Sequence, residues 1–181
     1  MLTVMEFQLR KCTLRPWTID DAESLARHAN NENISGSLRD DFPHPYTIGH
    51  AREWLNNVIN DEQNIVLAIE VDGEAVGSIG VFLYSNIYCK SAEIRYWLSE
   101  PYWGQGITSG AVKAVTKYAF NTLDIVRVQV CVFANNIRSM KVLRNAGYHL
   151  EAIRRNAIFK NNELQDEHLY VMLHEKKEVS E

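Results

Sequence analysis

Cysteine is scarce and unpatterned. Cys12, Cys89 and Cys131 are odd in number and far apart, which matches neither a disulfide framework nor a C-x-x-C metal or redox pair and predicts a reduced, cytoplasmic chain. Positive charge is not in excess either. With 19 basic and 23 acidic residues the net charge is −4, so binding along a nucleic-acid phosphate backbone is not expected. Long apolar runs are missing. The longest uncharged stretch, Ala75–Cys89, is 15 residues broken by Gly77, Gly80 and Asn86, whereas a membrane span needs about 20 mostly apolar residues. The N-terminal MLTVMEFQLRK has its charge on the wrong side for a secretory signal. No H-E-x-x-H and no G-x-S-x-G occurs among the 6 histidines and the serines, so neither a zinc hydrolase nor a serine hydrolase is indicated and no metal is expected. The 9 glycines and 4 prolines are dispersed, without repeat, linker or low-complexity segment.

What remains is an ordinary globular composition, 46% hydrophobic over 181 residues, and it predicts one domain, 1–181, with a frayed charged tail at about 175–181. Gln8 to Arg15 reads as a strand ended by Pro16. Thr18 then opens a helix whose Ile19, Ala22, Ala26 and Ala29 share a face. Asn30 to Tyr46 is a loop or broken helix, either a lid or a plain connection. Thr47 opens a second amphipathic helix. Two strands flank Asp72-Gly73, a two-residue turn signal, and Ser91–Leu98 is a third strand. A glycine-rich turn, Trp103-Gly-Gln-Gly-Ile107, feeds a long helix. A strand at Ile125–Phe133, a helix stopping at Gly147 and a hairpin across Asn161-Asn162 complete the chain. The expected class is α+β (mixed α/β), with a mixed sheet of about seven strands flanked by helices.

The strand, glycine turn, helix order is the informative part. Small residues let backbone approach a ligand closely, and the N–H groups at a helix start face an anion, phosphate above all. Between Arg95 and Lys113 there is no basic residue, so backbone donors would have to hold that phosphate. A P-loop is excluded because no lysine follows Gly110 at the required place. A dinucleotide fingerprint fits poorly, since the spacing is G-x-G-x-x-x-G and no acidic residue ends the next strand. A dinucleotide-dependent oxidoreductase stays as a distant alternative.

The runs AEIRYWLSEPYWGQGITSGAVKAVTKYAF and NNIRSMKVLRNAGYHLEA, with LRPWTIDDAESL and DFPHPYT before them and Asp166 in the closing hairpin, resemble the Gcn5-related N-acetyltransferases. More narrowly they are similar to the branch containing the ribosomal-protein N-terminal acetyltransferases. The resemblance implies that family's acyl-CoA fold and acetyl-CoA as co-substrate. It places the pyrophosphate on the loop Trp103, Gly104, Gln105, Gly106, Ile107, Thr108 and Ser109, where Thr108 and Ser109-Gly110 depart from the family's usual residues. It pairs the pantetheine arm with the strand edge at Trp97, Leu98 and Ser99 and with Asn136. It brings Arg138, Lys141 and Arg144 to the adenosine phosphates, against the alternative that they form a solvated basic helix face.

Acetyl transfer to an amine needs an unprotonated nitrogen, stabilisation of an oxyanion and a proton for the leaving thiolate. The resemblance assigns Glu93 as the base through water, or else as a structural partner of Arg95, and Ser139 as the proton donor, or else as a helix-start serine. A second carboxylate found in some relatives is replaced here by Ile158. Asp40 and Asp41 are candidates for attracting an ammonium substrate. The expected acceptor is a primary amine, a protein N-terminal α-amine or a small amine, and the alternative from another class is a CoA-binding module without turnover. Monomer and homodimer both remain open.

Overall fold

The computed structural model describes residues 6–174; the expected frayed tail lies outside the described residues. The strands are β1 (Phe7–Gln8), β2 (Thr13–Pro16), β3 (Ile65–Val71), β4 (Glu74–Leu83), β5 (Ser91–Leu98), β6 (Arg127–Phe133), β7 (His149–Lys160) and β8 (Glu163–Leu173). The helices are α1 (Ala22–Ala29), α2 (Glu32–Ser35), α3 (Ile48–Ile59), α4 (Ile107–Thr122) and α5 (Ile137–Ala146). The mixed sheet has 8 strands in the order β1-β2-β3-β4-β5-β6-β8-β7. The extra strand arises because the Gln8–Arg15 run folds back on itself. Leu9 N–H donates to the Cys12 carbonyl at 2.9 Å, and β1 pairs antiparallel with β2 through Phe7↔Leu14. Among the described residues no helix is long and apolar enough to cross a membrane.

The described residues fall into two compact units. The first is Met1–Gly80 with Arg95–Ala111. Its core gathers Trp17, Leu25, Ile34, Tyr46, Leu55 and Trp97. Arg15 organises its start: the guanidinium forks onto Asp21 with two 2.8 Å bonds and also pairs with Glu70 on β3. Asp21 in turn accepts from Thr18 N–H at 2.9 Å, so one carboxylate caps the 3-10 turn leading into α1 and holds β2 to it. This corrects one expected face. Ile19 lies in that turn at 49% exposure, and Leu25 occupies the core position instead. The long Asn30–Tyr46 segment is not a detached flap. Tyr46 N–H bonds the Asn30 side chain at 2.9 Å, and Ile34 and Tyr46 are buried. Burial raises the Tyr46 phenol to about 12. At α3, Thr47 Oγ1 accepts from His50 N–H, the expected cap. Asp72 and Gly73 take φ of 52° and 82°, as a two-residue type I′ turn demands.

The second unit is Val81–Ile94 with Val112–Glu181. β6 pairs in parallel with β5 over Ser91↔Arg127, Ala92↔Val128 and Glu93↔Gln129, and antiparallel with β8 along its whole length. Val128, Val130, Val132, Met140, Leu143 and Tyr170 are buried. The buried Thr116 hydroxyl bonds the Tyr148 hydroxyl at 2.7 Å, so neither polar group goes unsatisfied. α5 ends as predicted at Gly147. Its φ of 97° lets Gly147 N–H reach Arg144 O and Tyr148 N–H reach Leu143 O, a Schellman closure. Asn161 and Asn162, at φ of 53° and 62°, turn the last hairpin, and β8 begins directly after them at Glu163.

Burial works against ionisation of Asp21, but the hydrogen bonds and charge of Arg15 and the Thr18 donors outweigh it and hold this carboxyl below the ordinary range. A carboxyl with a depressed folded value stabilises above its unfolded value of about 3.9, and that stabilisation disappears as pH falls through the folded value. Asp21→Asn is expected to lose about 2 kcal/mol of unfolding free energy at neutral pH. Urea titrations across pH should show the variant and parent converging in acid; a constant gap down to the lowest pH would show that charge is not the cause.

Candidate functional site

In the first unit, the end of β5 and the following loop bring Trp97, Leu98, Ser99 and Trp103 to Ser109 into one continuous structure. β4 fixes its position. A Cβ on Gly77 would stand 2.6 Å from the Trp97 carbonyl oxygen, and Ser99 N–H donates to Val76 O at 2.8 Å. Because backbone groups alternate along a strand, Trp97 and Ser99 therefore turn their N–H and C=O toward β4, while Leu98 and Tyr96 turn theirs to the opposite edge. The Leu98 carbonyl is occupied by Trp103 Nε1–H at 2.6 Å, a contact that ties the loop to the strand. On that edge Leu98 N–H and the backbone of Tyr96 are the groups an extended amide arm would meet. Tyr96 was not singled out by the sequence reading.

Below the loop, Ser99 Oγ lies 2.9 Å from His28 Nδ1, and His28 Nε2 lies 3.0 Å from Glu74. Burial, with the charge of Arg27, lowers the His28 pKa. A neutral ring then accepts from Ser99 and donates to the Glu74 carboxylate. Glu100 accepts from Asn31 and Asn33 at 2.8 and 3.0 Å, which anchors α2 to the turn before the loop.

The loop is open backbone. Gly104 and Gly106 have φ of 74° and 81°, and a Cβ at either, or at Gly110, would meet nothing within 4 Å. A left-handed conformation beside open space is what an anion lying against main-chain N–H groups requires. Gly110 N–H bonds the Gly106 carbonyl at 3.1 Å, so Gly106 caps α4 and the first N–H groups of the helix have no partner within it. These residues fit the pyrophosphate of a coenzyme A thioester. Ile107 is buried, and Thr108 and Ser109 are half-buried. A cation, absent from this stretch of sequence, arrives from elsewhere: Lys11 Nζ sits 2.6 Å from the Gln105 carbonyl oxygen.

In the second unit, Glu93 is 5% exposed. A directional chain of donors leads to it. Arg127 Nε lies 3.3 Å from Gln129 Oε1, Gln129 Nε2 lies 3.0 Å from Tyr84 Oη, and Tyr84 Oη lies 3.4 Å from Glu93 Oε2. Arginine only donates, so the Gln129 oxygen faces it, the amide nitrogen faces Tyr84, and the phenol proton is left for the carboxylate. The pairing Glu93↔Gln129 and strand alternation put Cys131 on the same face. Burial, then the Glu167 carboxylate, pushes the Cys131 thiol up to about 11. Asn136 caps α5 through its Oδ1, which accepts from Ser139 N–H at 3.1 Å. Its Nδ2 amide is the donor that this cap leaves over. Arg138, Lys141 and Arg144 are exposed on α5, and Asp40 and Asp41 are exposed in the loop before α3. Ile158 is half-buried on β7 opposite Gln165.

Tyr84, Gln129 and Lys11 were missed by the sequence reading. A faint signal existed for two: Tyr84 closes an apolar strand run and Gln129 interrupts another. Lys11 had none, because its partner is 94 residues away. Among the described residues no group of three or more His, Cys, Asp and Glu side chains is placed to hold a metal.

The acetyltransferase (GNAT) domain family matches residues 11–149. A Bacillus subtilis protein named as a probable N-acetyltransferase, YjcK, is 29% identical over 88% of this chain and 92% of its own length. Spermidine N(1)-acetyltransferase of Escherichia coli K12 is 23% identical over 84% of this chain and 81% of its own. The solved RimL ribosomal L7/L12 α-N-protein acetyltransferase in complex with coenzyme A superposes with a TM-score of 0.82 at 22% identity, covering 93% of this chain and 98% of that one. The dinucleotide alternative falls with this match, and the chain belongs to the GNAT family of acetyl-CoA-dependent N-acetyltransferases.

Proposed function

We propose that the 181 residues form one cytoplasmic transferase domain that moves acetyl directly from acetyl-CoA to a primary amine, with a protein N-terminal α-amine as the preferred acceptor. The observation that carries the reading is the buried Glu93 with its donor chain from Arg127 through Gln129 and Tyr84. A carboxylate held in one orientation by a phenol O–H is suited to take a proton through a water. It is a modest base, and an α-amine with a pKa near 8 demands less of it than a lysine near 10.4. The relatives support two acceptor classes. The RimL title specifies an α-N-protein acetyltransferase and the Escherichia coli relative acts on spermidine.

The co-substrate supplies an activated acetyl group and a thiolate leaving group. Gly104 to Ser109 hold its pyrophosphate through main-chain N–H groups. Leu98 N–H faces the edge on which the acetyl carbonyl would develop negative charge, and it stabilises that charge. Asn136 Nδ2 donates to the arm, with Arg138 and Lys141 meeting the adenosine phosphates. Glu93 accepts the amine proton, and Ser139 gives its hydroxyl proton to the departing sulfur, to be restored from water.

Three measurements test this reading. A panel of free-amino peptides, N-blocked lysine peptides, spermidine and amino acids, followed by thiol release, should give the highest kcat/KM with the peptide α-amine; spermidine above every peptide would make the acceptor a small amine. Glu93→Gln should lower kcat/KM by about 10² to 10⁴ with little change in fold. Parent kinetics in this variant would remove Glu93 from the chemistry. Finally, Asn136→Asp keeps the oxygen that caps α5 but lacks the amide donor, so it should raise KM for acetyl-CoA at unchanged melting temperature. Asn136→Ala should additionally lose about 1 kcal/mol of stability. Equal KM values in parent and Asp variant would confine Asn136 to the cap.

A further inference from the structure

The glycine loop has a charge problem that the fold resolves from a distance. No basic residue lies between Arg95 and Lys113, yet the pyrophosphate of coenzyme A is anionic. Lys11, in the turn between β1 and β2, brings its ammonium 2.6 Å from the carbonyl oxygen of Gln105. We propose that Lys11 is a positioning residue for the co-substrate's pyrophosphate, fixing and polarising the Gln105–Gly106 peptide and adding the positive charge that the loop's own segment lacks.

Three features make this contact more than a surface hydrogen bond. A trans peptide is planar, so with the Gln105 oxygen directed at Lys11 the Gly106 N–H points the opposite way. Gly106 immediately precedes α4, and its N–H therefore lies at the positive end of a 16-residue helix. Drawing electron density toward the carbonyl makes the N–H of the same peptide a stronger donor. The side chain of the same residue is also tied down, because Gln105 Nε2 donates to the Pro101 carbonyl at 3.1 Å. Lys11 is itself set by a defined turn: Leu9 N–H closes onto Cys12 O at 2.9 Å, and Cys12 beside it is buried. The β1–β2 hairpin, which the sequence read as a single strand, thus acquires a purpose at the site. Both partners are exposed, so the charge acts through a salt-sensitive field.

The test is calorimetric binding of coenzyme A to the full chain at low and high salt, and it is independent of which amine is the acceptor. Lys11→Met and Lys11→Gln should each weaken binding by about three- to ten-fold at low salt, the worth of one solvent-exposed charge beside the site, with a shallower salt dependence than the parent. Lys11→Arg should restore most of the affinity. Arg10→Gln removes the same charge one residue away and should change nothing. Lys11→Gln matters most, since it keeps a donor for Gln105 but no charge, and it is a milder change if Lys11→Met fails to fold. Parent affinity and salt dependence in Lys11→Gln would overturn the proposal, and so would an equal loss in Arg10→Gln, which would mean diffuse surface charge.

Discussion

The end of β5 and the loop that follows it hang on the absence of one Cβ. At Gly77 the backbone of β4 comes so close to β5 that a Cβ would lie 2.6 Å from the Trp97 carbonyl and 3.1 Å from the Leu98 Cα. That approach, with the Ser99 to Val76 hydrogen bond beside it, decides which backbone groups of β5 are consumed by β4 and which face the other edge. From there the positions propagate along the chain. Leu98 holds Trp103, Trp103 opens the loop, and the loop starts α4. A bulkier residue at position 77 would shift a carbonyl rather than a flexible side-chain end, and the displacement would pass along the same contacts.

A second constraint is polar. Burying Glu93 without donors would be costly, and the chain from Arg127 through Gln129 and Tyr84 meets that cost in a fixed direction. Its four members come from three places in the sequence: Tyr84 just after β4, Glu93 near the start of β5, and Arg127 and Gln129 two residues apart on one face of β6.

This explains what could be read from the sequence and what could not. Asp72-Gly73, Asn161-Asn162, Gly147 and Thr47 announce turns and caps because the backbone they require is local, and the structure has each where it was expected. Strand Ser91–Leu98 was legible for the same reason. The division of Gln8–Arg15 into two strands was not, since the turn closed by Leu9 N–H on Cys12 O contains no glycine, proline or asparagine to announce it. Ile19 was misplaced because a 3-10 turn before α1 breaks the helical period from which its face was inferred. The site residues carried by the family pattern lie where their local elements put them, whereas Tyr84, Gln129 and Lys11 act through contacts across the fold that leave no periodicity to detect.

Cys131 shows what the same burial does to a thiol. A coenzyme A thioester exchanges its acyl group with thiolates, so a reactive cysteine on the face that carries Glu93 would divert acetyl into a protein adduct. With its pKa pushed up to about 11 by burial and by the Glu167 carboxylate, the thiol stays protonated at neutral pH. Glu167, which helps to raise that value, is fixed by Arg154 at 2.7 Å on the neighbouring strand. Burial of the thiol does most of this raising, and the Glu167 carboxylate adds to it.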